Sequence, residues 1–438
     1  MRITVLTLAL VAMFNVTFTL SGLQAGDLEA KNGKQWFKGN LHAHSLWSDG
    51  DEYPEMIGLW YKEQGYNFLT LSDHNVLATI DRWIDVEMSK GGMEAFAKLQ
   101  KQFPQDWIEQ RKVDDILEVK LKKFDEFSEL LNEEGSFLMV KGEEVTDGYK
   151  NSPIHMNVSN VKEMIPPMKG KSIFDTMQNN VNAAASQRER TGQAMMIHLN
   201  HPNFHYGVTA EDLMRVIGEN FFEVYNGHPG VRNNGDEVHA STERMWDIIL
   251  TRRITELKLP LMYGLATDDG HEYHHIPSPA KRSEPGRGWV MVLADKLDSN
   301  TLITAIEQGD FYASSGVTMN RIVSNEEGVT VEVEPVEGET YTIEFIGTRD
   351  GYDTTSEPVL NKEGEEANIT HKYSDELGTV LHSVSGTEAH YSFQPDDLYV
   401  RVQVTSSADH ANPSQSGDKK QAWIQPVYGP AGQAQVVK

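Results

Sequence analysis

Trp36-Phe37-Lys38-Gly39-Asn40-Leu41-His42-Ala43-His44-Ser45 decides the fold: an apolar run of single-strand length ends on two imidazoles one residue apart. Side chains alternate across a strand, so His42 and His44 project to one face and can bind one ion together. Alone the pair is a weak signal in a chain with 16 histidines. The downstream strands strengthen it. Apolar runs at 67–71 and 137–140 end at Asp73-His74 and Glu143-Glu144; 154–158 carries His155; 194–199 ends at His198 and His201-Pro202. Residues 221–225 lead to Asn226-Gly227-His228, and 261–266 to Asp268-Asp269-Gly270-His271. Helical segments lie between, as at 54–64, where Met56, Ile57, Leu59 and Trp60 fall at helical spacing and Gly65 can cap. The pattern is that of an α/β protein rather than a run of hairpins. Nearly every strand delivers a metal-competent side chain at or just past its carboxyl end, where a β/α barrel builds its active site.

Outward from this series, residues 93–134 place Phe96, Leu99, Trp107, Ile108, Ile116, Leu117, Leu121, Phe124 and Leu130 at helical spacing, which predicts a helical insertion between two barrel strands. Its aromatic stripe reads as core or lid packing. From about Ile322 the chain alternates apolar and polar residues, as at 329–333, 341–346 and 398–404, and a small all-β domain over 321–438 is expected after the barrel at 34–320. His371, His382, His390 and His410 have no acidic partners at ligand spacing there and read as surface histidines. A chain of 438 residues fits such a two-domain division.

Residues 1–25 combine Met1-Arg2, an apolar run and a small-residue exit at Ala25-Gly26, the pattern of a cleaved signal peptide rather than a membrane anchor. A periplasmic or secreted protein, with no membrane attachment after cleavage, is the expectation. The chain has no cysteine, which excludes a disulfide framework, a lipidated N-terminal cysteine and thiolate metal ligands. A net charge of -26 disfavours extended nucleic-acid binding, since that affinity comes from Lys and Arg neutralising phosphates. A small phosphorylated or ester substrate stays possible, because bound metal charges dominate a local field.

Gly39-Asn40-Leu41-His42-Ala43-His44-Ser45 with Ser48-Asp49-Gly50 resembles the first motif of the PHP (polymerase and histidinol phosphatase) family. Leu71-Ser72-Asp73-His74-Asn75 is similar to the second, and Lys141-Gly142-Glu143-Glu144-Val145-Thr146 to the segment that supplies a metal-bridging carboxylate. Ile154-His155, His201-Pro202 and Asp269-Gly270-His271 resemble the later motifs, all in order over roughly 36–320. Glu223-Val224-Tyr225-Asn226, the 309–315 segment and a tail ending in Ala422-Trp423-Ile424 are similar to an exported subgroup of the family. The resemblance implies a distorted (β/α)7 barrel and two or three divalent ions (Zn, Mn or Fe). By matching position, His42, His44, Glu144 and Asp269 would hold the first ion, and Glu144, His155 and His201 the second. His74 and His271 would form a third position, with Asp49 standing where some members use histidine. Asp49 and His271 are also the candidate catalytic pair.

Imidazole and carboxylate ligands suit these ions, and two of them can bridge a hydroxide that attacks phosphorus or a carbonyl carbon without a nucleophilic Ser or Cys. The expected function is a metal-dependent phosphoesterase acting on small phosphate esters, nucleotides or oligonucleotides. A carboxyl-ester or carbamate hydrolase on the same centre is the alternative, and a non-catalytic metal-containing binding protein a second one. Glu143 and Asp268 are runners-up to their neighbours, on the opposite face of an extended chain. Asp73 reads as orienting a metal histidine, and His198 as a buried hydrogen-bonded group. His205, His228, Arg232, Lys281, Arg282 and Arg287 lie beyond strand ends and could hold an anion, with solvated surface the default; His274 and His275 are not assigned as ligands.

Overall fold

A computed structural model describes residues 27–30 and 33–436 of the chain, so the signal peptide expected at 1–25 lies outside the described residues. The apolar runs form strands where expected: Gln35–Asn40, Phe68–Leu71, Met196–Leu199, Phe221–Asn226 and Tyr263–Thr267. The last four are buried at every position, as strands covered on both faces must be. Gln35–Asn40, Phe68–Leu71 and Leu138–Tyr149 run parallel in that order, as do Met196–Leu199, Phe221–Asn226 and Tyr263–Thr267. Gly39 permits the first pairing, because a Cβ there would lie 2.1 Å from the Phe68 ring.

Between the two parallel sets the structure departs from a simple strand–helix alternation. The run expected to stop at Glu143-Glu144 continues to Tyr149, turns through Lys150 (φ 53°) and returns as Ser152–Ser159, pairing Gly142 with Ser159 and Tyr149 with Ser152. Val145 and Thr146 are strand formers, and the pairing carries the strand on through Asp147 and Gly148, which face Ile154 and Pro153. Glu144 therefore lies mid-strand, and His155 enters on an antiparallel neighbour.

These strands belong to one 13-stranded sheet. Tyr263–Thr267 stands at its edge, and the only bridge from its end back to the Gln35–Asn40 end among the described residues is an isolated parallel one, Ala43 to Gly270. There the His44 N–H donates to Gly270 O at 2.9 Å and the Asp269 N–H to His42 O at 3.0 Å. On its other side Gln35–Asn40 pairs antiparallel with Trp289–Ala294, and the sheet continues through Phe311–Ser314 into Lys419–Tyr428, Asp397–Asp409, Tyr341–Arg349 and Thr379–Ser385. The β-rich C-terminal region thus shares hydrogen bonds with the first part of the chain. A four-stranded sheet including Met319–Asn325 and Gly328–Val333 closes an apolar core over it, burying Val331, Ile343, Phe345 and Val404.

The helix Thr242–Arg252 fastens the two parts. Its Asp247 accepts from Tyr399 Oη and Arg401 Nε, each at 2.8 Å, on one oxygen and from Arg401 Nη2 at 2.8 Å on the other. Glu243, one turn earlier, accepts from Trp423 Nε1 and Gln403 Nε2, each at 3.0 Å. This is a buried, bidentate ion pair with its remaining lone pairs engaged.

The predicted helical insertion is only half helical. Gly92–Gln102 and Phe124–Leu131 are helices, but Gln110–Val113 and Ile116–Lys120 form a hairpin that pairs on with Trp83–Asp85. Asp114 (φ 49°) and Asp115 (φ 66°) supply the two left-handed residues of a tight turn, a signal the helical reading of Ile116, Leu117 and Leu121 overrode. Among the described residues no helix is long and apolar enough to cross a membrane.

Candidate metal centre

All nine predicted ligands converge where the strand ends meet the seam between Ala43 and Gly270. Four overlapping groups have ligating atoms within 4.8 Å of one another: His42, His44 and Glu144; His42, His201 and Asp269; His74, Glu144 and His155; and His44, Asp49, His74 and His271. His42 Nε2 lies 3.0 Å from His44 Nε2, and each is 3.2 Å from Asp269 Oδ1. Glu144 lies centrally: Oε1 is 3.0 Å from His155 Nδ1 and 3.6 Å from both His42 Nε2 and His201 Nε2, while Oε2 contacts His74 Nδ1. Asp49 Oδ1 is 3.3 Å from His271 Nε2 and 3.5 Å from His74 Nε2 at the exposed rim.

The backbone bends to reach this geometry. Asp269 (φ 49°) and His201 (φ 20°) both lie in the left-handed region, which non-glycine residues occupy at a cost when the site demands it. The charges respond to one another. Burial works against a charged His42, but the Asp269 and Glu223 carboxylates outweigh it and hold its ring up at about 10. Burial, with His271 and His74 beside it, pushes His44 down to about 3. Burial would raise Glu144 and Asp269, yet His155 and His74 hold the first, and His42 and His44 the second, well below the usual carboxylate range. Against burial, Glu144 lifts His74 to about 9, and Asp49 and Asp269 raise His271.

The neighbours sort as the alternation of an extended chain dictates. Glu143 turns away and accepts from the Ile165 N–H at 2.6 Å. Asp268 accepts from the Arg287 and Gly288 N–H groups at 2.6 and 2.8 Å and from Tyr61 Oη at 2.8 Å. Asp73 touches no histidine directly: it accepts from Ser45 N and Oγ, each at 2.8 Å, and Ser48 Oγ at 2.6 Å, pinning the loop after the His pair. His198 is buried as expected but not hydrogen-bonded; its Nε2 lies 3.6 Å from Glu223 Oε1. His205 is exposed, and His228 is largely buried and accepts from the Gly230 N–H at 2.9 Å. Arg287 cannot serve an anion, since it is buried and donates to Asn412 O, Gly227 O and Arg282 O. Arg232 and Lys281 are exposed and Arg282 half-buried, and His274 donates from Nε2 to Asp51 O at 2.9 Å. In the C-terminal region His410 is buried, with Nδ1 accepting from the Asn412 N–H at 3.0 Å, which corrects its surface reading.

Glu223, given no role from sequence, organises the inner layer. Its Oε1 accepts from His42 Nδ1 at 2.7 Å and Thr267 Oγ1 at 2.8 Å; its Oε2 accepts from the His201 N–H at 2.8 Å and Asn226 Nδ2 at 2.7 Å. A carboxylate on His42 Nδ1 fixes the tautomer that turns Nε2 towards the cluster. Asn226 also donates to Asp269 Oδ2 at 3.2 Å, and Asn200 to Glu144 Oε1 at 2.8 Å. The signal was available: in Phe221-Phe222-Glu223-Val224-Tyr225-Asn226 the Glu and Asn interrupt a strand with no solvent-facing side.

No protein-family model matches the chain, and no curated protein matches it. Among solved structures it is similar to a two-domain protein from Bacteroides vulgatus containing a predicted PHP-like metal-dependent phosphoesterase, at 14% identity and a TM-score of 0.39 over 92% of this chain and 98% of that one. It is also similar to a putative metal-dependent phosphoesterase from Bifidobacterium adolescentis, at 12% identity and a TM-score of 0.32 over 62% and 96% of the two chains. A third similarity is to an amidohydrolase from Chromobacterium violaceum, at 12% identity and a TM-score of 0.27 over 53% and 87%.

Proposed function

We propose that this chain is a metal-dependent phosphoesterase of the PHP type, acting on small phosphate esters. The observation that carries the reading is the convergence of nine nitrogen and oxygen ligands on one seam, with buried ligand atoms left unspent. Glu144 Oε2 and His155 Nδ1 are buried and meet His74 Nδ1 and Glu144 Oε1 as ion-pair contacts without hydrogen-bond geometry, and the Nε2 atoms of His42 and His44 face each other across Asp269 Oδ1. A buried polar atom is normally satisfied, and a sulfur-free imidazole and carboxylate set fits Zn, Mn or Fe.

On this reading His42, His44, Glu144 and Asp269 hold one ion, Glu144, His155 and His201 a second, and His74, His271 and Asp49 a third. Divalent ions supply Lewis acidity and make water acidic near neutral pH. The protein's own groups do the rest. Glu223 and Asn200 aim His42 and Glu144, so little reorganisation is left for the reaction. With the third position empty, His271, paired with Asp49 at the open rim, is placed to hand a proton from Nε2 to the leaving oxygen. The Ala43–Gly270 bridge, linking the first and last strands of the series, supports a distorted (β/α)7 barrel over 34–320 followed by a β domain over 321–438. The pattern at 1–25 supports export to the periplasm or beyond.

The test is metal counting on the purified protein together with chromogenic phosphomonoester, phosphodiester, carboxyl-ester and carbamate substrates. Phosphate esters should turn over with at least two ions bound, and His42→Ala and Glu144→Ala should each lose ~10³-fold or more in kcat/KM. Turnover confined to carboxyl esters or carbamates would shift the substrate class. A wild type that binds no metal and cleaves nothing would overturn the reading.

A further inference from the structure

The Trp83–Asp85 strand with its flanking residues and the loop after the His pair build a cavity against the outer edge of the metal centre. It has a volume of about 310 Å³ and lies between Ser48 and Gly50 on one side and Arg82, Ile84, Met88 and Lys90 on the other. That volume suits a compact small molecule. Ser48 ties it to the centre, its Oγ lying 3.5 Å from His44 Nδ1 and 3.4 Å from Asp49 Oδ1. Two cations face the cavity. Arg82 donates through Nη1 to Trp47 O, its guanidinium 5.8 Å from the Trp47 ring, and Lys90 donates to the Asp49 carbonyl. Among the described residues neither is paired with a carboxylate, although the chain carries 65 acidic residues against 39 Lys and Arg. Asp85, which also lines the cavity, has one oxygen turned onto the Met88 N–H at 3.1 Å. The hydrogen bonds of both cations go to neutral carbonyls, with Asp85 on the cavity wall and Asp51 near Lys90 as the neighbouring carboxylates, and a guanidinium fork with an ammonium on the same cavity matches a carboxylate or second phosphate.

We propose that this cavity seats a second anionic group of the substrate, so that the preferred ester is a small phosphorylated acid rather than a phosphorylated alcohol. The proposal rests on the phosphoesterase reading and adds the substrate class. A matched pair of probes isolates it: 3-phosphoglycerate and glycerol 3-phosphate, which differ in a carboxylate. Phosphate release is followed for both, and calorimetry measures binding of both to the metal-loaded protein. Wild type should favour 3-phosphoglycerate by about tenfold, mostly in KM. Lys90→Gln and Arg82→Gln should shrink that ratio towards one. Met88→Glu adds a negative charge at a position 82% exposed without touching the Arg82 contacts, and should shrink it too.

A wild type without preference, or variants that keep the wild-type ratio, would overturn the proposal while leaving the hydrolase reading intact. Preferential binding of 3-phosphoglycerate that the variants abolish, with no phosphate released from either compound, would instead uphold the cavity and sink the hydrolase reading. Neither binding nor release would sink both.

Discussion

Two regions of this protein bury several charges each, and they do so in opposite ways. At the seam between the Thr242–Arg252 helix and the C-terminal strands, both oxygens of Asp247 are engaged by Arg401 and Tyr399. At the metal centre the inner layer is equally well engaged around Glu223, but the outer atoms are not: like ring nitrogens meet at 3.0 Å, and Glu144 Oε2 has no hydrogen bond. The difference separates a group that holds a fold together from one kept ready for a ligand. Desolvation is costly in both, and the chain's own partners offset it in both, through hydrogen bonds at the seam and through histidine–carboxylate pairing at the metal centre.

The comparison breaks most sharply at Asp247. Asp247→Ala strands the Arg401 charge in a buried site and should cost ~3–5 kcal/mol in urea unfolding, with the number of ions bound per folded chain unchanged. Loss of metal in step with stability would mean that the two regions are not separable. A smaller effect is expected at Glu223: Glu223→Gln should weaken metal binding by ~10–100-fold in a chelator competition, because His42 loses the partner that fixes its tautomer. If the unfolding midpoint falls and metal affinity does not, Glu223 belongs with Asp247 as a structural group.

The smallest effect sharpens the contrast between adjacent residues. Burial pushes the Glu143 carboxyl up to about 8 from its ordinary 4.5, whereas the histidines around Glu144 hold that carboxylate low. A raised folded-state pKa means that the native protein binds this proton more tightly than the unfolded chain. Its contribution to stability is therefore complete below about pH 4.5 and is lost as the pH rises to about 8. Glu143→Gln should match wild type at pH 4.5 and exceed it at pH 8.5 in paired denaturation curves. Equal curves at both values would place Glu143 in a wetter environment than its contacts indicate.

The candidate site was more legible in the sequence than the fold that carries it. Histidine and carboxylate at strand ends are read residue by residue, so His42 through His271 could be collected without knowing how the strands pair. Pairing direction was not readable in the same way. The Leu138–Tyr149 strand and its antiparallel return look locally like any β-forming run, and only the partner decides where such a run stops. At 110–120 the hydrophobic spacing suits a helix, and the Asp114-Asp115 turn between β-branched residues decided against it. Glu223 escaped a role because its purpose lies in a contact with His42, 181 residues away.

The isolated bridge between Ala43 and Gly270 has a mechanical consequence. Each of its residues sits between two candidate ligands, His42 and His44 on one side and Asp269 and His271 on the other. An ion gripped from both sides would act as a clasp between the two ends of the strand series, where the backbone offers one isolated bridge. Loading the centre would then stiffen the two ends of the strand series together, so that rigidity beyond the chemistry becomes a gauge of occupancy.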